Sequence, residues 1–269
     1  MGLAFWKRTP PRIQYMSDLH LEVRQYQFSI KVTAPILLLD GDIGRFCDFD
    51  GYASFIFQCC ATFEKVLLIA GNHEFYGTTY EEGLELIGTI VDNPAAQGKV
   101  VFLNRAAYHI PHSNVTVLGC TLHSKIGQDR TALTNDFRRI KQWTVAKHNK
   151  EHSLDVAWLK EQVSSIGKSR RIVIATHYAP TFGRTCHPSH RQSKFNQCFA
   201  SNAFQDIVGE NKAQNVTHWI YGHTHWNARI VRGSVLLVSN QVMNKSDGLS
   251  WWLKKTRYRQ FRMDATLRL

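Results

Sequence analysis

At 269 residues and 43% hydrophobic composition the chain can bury one large core, and none of its apolar runs approaches the roughly 18 residues of a membrane span. The formal net charge is +12, but residues 250–269 carry six Lys/Arg against one Asp, so the body is only mildly basic, which suits an anionic substrate. Six cysteines without Cys-x-x-Cys spacing exclude a zinc knuckle and a disulfide scaffold. Together with a start, Met1 to Trp6, too short for a signal-peptide core, they predict reduced thiols in a soluble, cytoplasmic protein.

Residues 1–11, ending Thr9-Pro10-Pro11, read as a frayed lead-in, because paired prolines favour extended, unpaired backbone. A first strand, Ile13 to Met16, delivers Asp18 and His20. Residues two apart in extended chain share a side, and a carboxylate with an imidazole suits Mn, Fe or Zn better than Mg. A second strand, Pro35 to Leu39, ends in Asp40-Gly41-Asp42, where Gly41 permits a turn that aims Asp42 inward and Asp40 reads as a strand-end residue. The apolar stripe from Tyr52 to Phe63 predicts a helix with a core face. A third strand, Val66 to Ala70, leads into Gly71-Asn72-His73-Glu74. Asn72 offers a neutral oxygen, His73 an imidazole for proton donation or charge stabilisation in phosphoryl transfer, and Glu74 a carboxylate to fix the turn or orient a histidine.

A helix is expected from Thr79 to Val91, then strands at Val100 to Leu103, Ala107 to Ile110 and Val115 to Leu118, a β-rich middle that suggests a second sheet. His123, directly after a strand, is a candidate for the substrate pocket, with a structural role equally open. His109, His112, His148 and His152 read as surface residues, the last two before a helix from Leu154 to Val163. Arg138, in Asn135-Asp136-Phe137-Arg138-Arg139, is a candidate phosphate contact, since the guanidinium fork matches phosphate oxygens; a solvated charge cluster is the competing reading. Strand Arg171 to Ala175 presents His177. The basic loop beyond it, 178–197, carries His187 and reads either as a lid over a substrate anion or as an ordinary surface loop. Strands Val216 to Tyr221, Ala228 to Val231 and Val235 to Val238 frame Gly222-His223-Thr224-His225, where His223 and His225, two apart, face one site if the chain is still extended.

Five times a short buried strand ends in a metal-binding residue type, at the sheet edge where open α/β sheets build their sites. Read together, Asp18-x-His20, Gly41-Asp42, Gly71-Asn72-His73-Glu74, His177 and Gly222-His223-Thr224-His225 resemble the five ordered motifs of the calcineurin-like metallophosphoesterases, most closely their small single-domain bacterial and fungal members. The resemblance implies an α/β fold, a four-layer sandwich of two mixed β-sheets flanked by helices. It also implies two divalent or trivalent ions (Mn, Fe, Zn or Ni). Asp18, His20, Asp42 and His225 would hold one, and Asp42, Asn72, His177 and His223 the other. Asp42 would bridge them, a shared hydroxide would be the nucleophile, and His73 would act as acid at the leaving oxygen.

Ile43, Gly44 and Arg45 offer no tyrosine ligand and no Asp-Arg-Gly, which separates the chain from purple acid phosphatases and protein Ser/Thr phosphatases. What remains is a phosphodiesterase or phosphomonoesterase on a small or nucleotide-like ester. The competing readings are a nuclease or nucleic-acid-associated phosphoesterase using the basic tail, where Trp251 and Trp252 sit among Lys and Arg, and a non-catalytic interaction module. The expected organisation is a lead-in over 1–11, a metallophosphoesterase domain over 12–245 and an unstructured basic tail over 246–269.

Overall fold

Short runs of Ile, Leu and Val become the central strands of two mixed sheets because both faces of those runs are buried; β2 below is buried at all five positions. The computed structural model describes residues 10–209, 215–242 and 259–269. Among these, β1 (Arg12–Met16), β2 (Ile36–Asp40), β3 (Lys65–Ile69) and β4 (Val100–Phe102) run parallel in the first sheet. The second sheet is formed by β5 (Ala106–His109), β6 (Val115–Cys120), β7 (Arg171–Thr176), β8 (Val216–Tyr221), β9 (Arg229–Arg232) and β10 (Val235–Val238), in the order β5-β6-β7-β8-β10-β9.

Helices α1 (Phe49–Thr62) and α2 (Tyr80–Asp92) cover the outer face of the first sheet, where Phe55, Ile56, Cys59 and Ile87 meet Leu37, Leu39 and Leu68. A capping box closes the start of α2, with Thr79 accepting from the Glu82 N–H and Glu82 accepting from the Thr79 N–H. The outer face of the second sheet is covered by α4 (Val145–Ser165) and α6 (Ala203–Ile207), which join the short helices α3 (Asp136–Arg139) and α5 (Asn196–Phe199) on that half of the chain. Between the sheets, Ile13, Leu38 and Ile69 interdigitate with Val117, Val173 and Ile220. Helix, sheet, sheet and helix are the four layers expected. No helix among the described residues is long and apolar enough to cross a membrane. All six cysteines are unpaired, five of them buried.

Two expectations require correction. Helix α4 begins at Val145, nine residues before the expected start, and its buried stripe runs His148, His152, Asp155, Leu159, Val163. His148 and His152 are therefore interior. The spacing is helical, but three of the five residues are polar, and polar residues are sheltered only where partners wait. The Trp143 indole N–H donates to His148 Nδ1, His152 bonds the His123 carbonyl, and Asp155 takes Arg105 at 2.7 Å.

The second correction concerns the tail. Its end is ordered: β11 (Thr266–Arg268) pairs antiparallel with β1, giving the first sheet the order β11-β1-β2-β3-β4. Leu267 enters the core between the sheets, the Leu269 N–H donates to the Pro11 carbonyl, and the Arg262 N–H donates to Asn240 Oδ1. A three-residue strand has no readable period; only the open edge of β1 makes it one. Residues 1–9 of the lead-in and residues 246–258 of the tail, with Trp251 and Trp252, lie outside the described residues, as do residues 243–245.

Because Leu267 is 5% exposed, Leu267→Ala should cost about 2–4 kcal/mol of stability, read as a lower urea midpoint at unchanged slope. Removal of residues 265–269 should cost more, since β1 loses its edge pairing too. An unchanged midpoint in both variants would contradict the packing role of β11.

Candidate metal centre

The motif residues gather at the carboxyl ends of β1, β2, β3, β7 and β8, and they do so in an unusual backbone state. Asp18, His20, Asp42, His223 and His225 all have positive φ, between 47° and 66°, a region that non-glycine residues rarely occupy. Strand alternation is therefore not what brings these pairs together. β1 stops at Met16 and β8 at Tyr221, and left-handed turns beyond them aim the side chains. Gly41, at φ 83°, and Gly71 make room: a Cβ on Gly41 would lie 2.3 Å from His177 Nδ1, and one on Gly71 would lie 2.2 Å from Asp42 Oδ1.

Donor atoms converge in three groups, each with members within 4.8 Å of one another: Asp18, His20 and His225; Asp42, His177 and His223; and His20, Glu22 and His73. In the first, His20 Nε2 lies 3.2 Å from His225 Nε2, which lies 3.4 Å from Asp18 Oδ1. In the second, His177 Nε2 is 3.3 Å from Asp42 Oδ1 and 3.3 Å from Asn72 Oδ1. Such spacings are those of ligands around a cation with bonds of about 2.1 Å. Burial alone would lower the His177 pKa, but Asp42, Asp18 and the Asp40 carbonyl raise it to about 10, so the site around Nε2 favours positive charge. Burial would raise the Asp42 pKa, yet the imidazoles of His177, His73 and His20 hold it well below the usual carboxylate range. The donor set, its burial and its charge all fit a pair of metal ions.

Partners behind the donors fix their aim. His177 Nδ1–H donates to the Asp40 carbonyl at 2.9 Å, turning Nε2 toward Asp42 and Asn72. Glu74, fully buried, accepts from the backbone N–H groups of Gly71, Asp42 and Ile43 at 2.7–2.9 Å, and so ties the second and third motifs into one turn. The His223 N–H is 3.1 Å from both Asp18 oxygens. His223 also packs against Tyr178, with ring centroids 4.0 Å apart, and against Phe199 at 4.8 Å.

Two residues stand out that sequence reasoning does not single out. Glu22 Oε1 lies 2.9 Å from His73 Nδ1 and 3.5 Å from His20 Nδ1, and the alternate spacing Asp18, His20, Glu22 was the available signal. With Nδ1–H donated to Glu22, His73 Nε2 faces Asp42, 4.0 Å from Oδ2. Burial would lower the His73 pKa, but Asp42 and Glu22 raise it, favouring the protonated ring. Asp136, 1% exposed, accepts from Asn72 Nδ2 at 2.8 Å, the Tyr76 hydroxyl at 2.8 Å and the Tyr178 hydroxyl at 3.1 Å. An amide nitrogen committed to Asp136 leaves the Asn72 oxygen turned to His177. Nothing in the local sequence shows this bond, which spans 64 residues.

The three expected substrate contacts end in different places. His123 lies in the interior, 1% exposed, among Tyr80, Trp143, His148 and Tyr178, with neither ring nitrogen hydrogen-bonded; burial pushes its pKa well down. It is not on a pocket wall, because the strand end that exposes it is covered by α4 and Trp143. Arg138 is exposed, but its guanidinium bonds Asn135 Oδ1 in its own turn. His187 is half-buried, its ring 5.1 Å from that of Trp226, next to His225.

A family profile described as "Metallophos: Calcineurin-like phosphoesterase" matches residues 12–227. The chain is 24% identical over 266 residues to the uncharacterized protein L509 of Acanthamoeba polyphaga mimivirus, covering 86% of this chain and 90% of that one. Its fold is similar to that of phosphopantetheinyl hydrolase from Mycobacterium tuberculosis, with a TM-score of 0.65 at 15% identity over 94% of this chain and 96% of the other. It is also similar to a dimetal phosphatase from Danio rerio, with a TM-score of 0.52 at 13% identity over 86% and 87%.

Asp136→Ala would leave two buried tyrosine hydroxyls and the Asn72 amide without their acceptor. It should lower stability by about 2–4 kcal/mol and reduce metal bound per chain, measured by thermal melting and elemental analysis. Full metal content with unchanged melting would show that Asp136 does not position Asn72.

Proposed function

Since the chain belongs to the calcineurin-like phosphoesterase family, and so to a family of dinuclear, metal-dependent phosphoester hydrolases, we propose that it hydrolyses small or nucleotide-like phosphate mono- or diesters at the centre described above. The observation that carries the proposal is the pair of donor groups, one around Asp18 and one around Asp42, with His73 between Glu22 and Asp42. In this reading Asp18, His20, Asp42 and His225 hold one ion, and Asp42, Asn72, His177 and His223 hold the other, with Asp42 common to both.

Two ions bound there would supply positive charge to the phosphoryl oxygens and acidify water; Mn, Fe, Zn and Ni are the candidates that accept mixed oxygen and imidazole donors. The remaining work falls to the protein. Asp42, with one oxygen held by the His73 N–H at 2.9 Å, keeps a fixed position beside the second donor group. His73, its Nδ1–H donated to Glu22, presents Nε2 as the proton donor to the departing oxygen. Its ring is about a quarter exposed, enough to meet a substrate while the donors beneath stay buried. Unpaired cysteines support a reducing compartment, the cytoplasm. We favour a small ester over nucleic acid because the last residues of the basic tail are committed to the first sheet as β11.

Elemental analysis of Asp42→Asn should show loss at both metal positions, whereas His20→Ala should mainly weaken one. Retention of two ions by Asp42→Asn would end the bridging assignment. His73→Ala should keep both ions and lose about 10²- to 10⁴-fold in turnover of an alkyl phosphate, but far less with nitrophenyl phosphate, whose leaving group needs little protonation. An equal loss on both esters would make His73 an electrostatic group and not an acid.

A further inference from the structure

Helix α3 turns Asp136 inward and carries, one helical turn on, an arginine at the surface. The Arg139 guanidinium carbon sits 4.5 Å from the centre of the Tyr76 ring, and that ring lies 4.3 Å from the ring of His73, inclined by 36°. The column is pinned at its middle and at its outer end. Tyr76 is 2% exposed and its hydroxyl is committed to Asp136, so the ring cannot swing away. The Arg139 carbonyl accepts the Gly77 N–H at 2.8 Å, and its own N–H donates to the Asn135 carbonyl at 3.0 Å.

The side chain itself is exposed and forms no ion pair with any described residue, unlike Arg45 with Asp48 or Arg105 with Asp155. A guanidinium resting on an aromatic ring has given up few of its N–H groups. The fork remains available to a carboxylate or phosphate, for which its geometry is suited.

From this stack we infer that Arg139 forms an anion subsite one ring beyond His73, on the side by which the leaving group departs. The substrate class is a phosphate ester whose leaving group carries a second anionic group, carboxylate or phosphate. The inference rests on the reading of His73 as the acid at the leaving oxygen. Tyr76 sets the separation between the two functions, and Asp136, which holds Tyr76, also holds Asn72, so a single buried carboxylate keeps the subsite in register with the metal centre. Arg138, the neighbour that the sequence favours for phosphate contact, is engaged with Asn135 and does not join the column.

The test uses the full chain loaded with Mn and two non-hydrolysable probes of one skeleton, 4-carboxybenzylphosphonate and its neutral 4-carbamoyl counterpart, with binding measured by calorimetry at low ionic strength. The wild-type protein should bind the carboxylate roughly fivefold more tightly, the advantage shrinking as salt is added. Arg139→Met should abolish that preference while leaving the carbamoyl affinity, metal content and melting temperature unchanged, and Arg139→Lys should retain part of it. No preference in the wild type, a preference that survives Arg139→Met, or an equal loss of both probes would overturn the proposal. Failure of the phosphoesterase reading is a separate result, seen as absence of phenyl phosphate turnover by the wild-type protein, while phosphonate binding still reports on Arg139.

Discussion

Five donor residues held in left-handed backbone are the constraint on which the rest of this structure depends. Each such residue costs on the order of 1–3 kcal/mol, and five together exceed what a loop could sustain unaided. The strain persists because the turns hang from parallel strands buried on both faces, whose ends cannot shift without breaking the core between the sheets. Glu74 adds the local restraint. By accepting N–H groups from Gly71, Asp42 and Ile43 it satisfies three buried donors that the turns would otherwise leave unpaired, and it does so from inside the same site. Burial, and after it the Asp42 carboxylate, push its own pKa up to about 7.

The second half of the chain approaches this rigid floor from the other sheet. His177 and His223 arrive from β7 and β8, and the segment around α3 reaches across to clasp Asn72 and Tyr76 through Asp136. The candidate metal centre is therefore not the property of one sheet. It exists only when the two sheets are packed, which links folding of the layers to formation of the site. The polar stripe of α4 serves the same union: Asp155 takes Arg105 from the β4–β5 connection and the Leu122 N–H from the end of β6, while His148 and Ser124 hold the Cys198 carbonyl in place beside Phe199, the ring that flanks His223.

At the far edge of the first sheet, β11 covers β1, the strand that delivers Asp18 and His20. An open edge there would leave unpaired backbone groups next to the left-handed Asp18 and His20 turn. Asn240, two residues beyond β10, donates to the carbonyls of Tyr15 and Arg262, so the last segment of the chain is bonded to both sheets close to the donors.

The alternation of apolar runs with Asp, Asn and His showed, from the sequence by itself, buried strands of an α/β chain with donor residue types at their ends, and the resemblance of those motifs to the calcineurin-like family implied the layered order. Each strand carries its own burial signature, and each donor follows a strand end within a few residues, so the signal is local. Tertiary structure alone decided the rest. The left-handed turns, and not strand alternation, aim Asp18, His20, His223 and His225; His123 and His148 are interior because α4 covers them; Asp136 bonds Asn72, and Arg139, not Arg138, stacks on Tyr76; and β11 is a strand only because β1 leaves an edge to fill. Those outcomes depend on bonds between residues tens to hundreds of positions apart, and a polar residue reads the same in sequence whether its partner is water or a buried carboxylate.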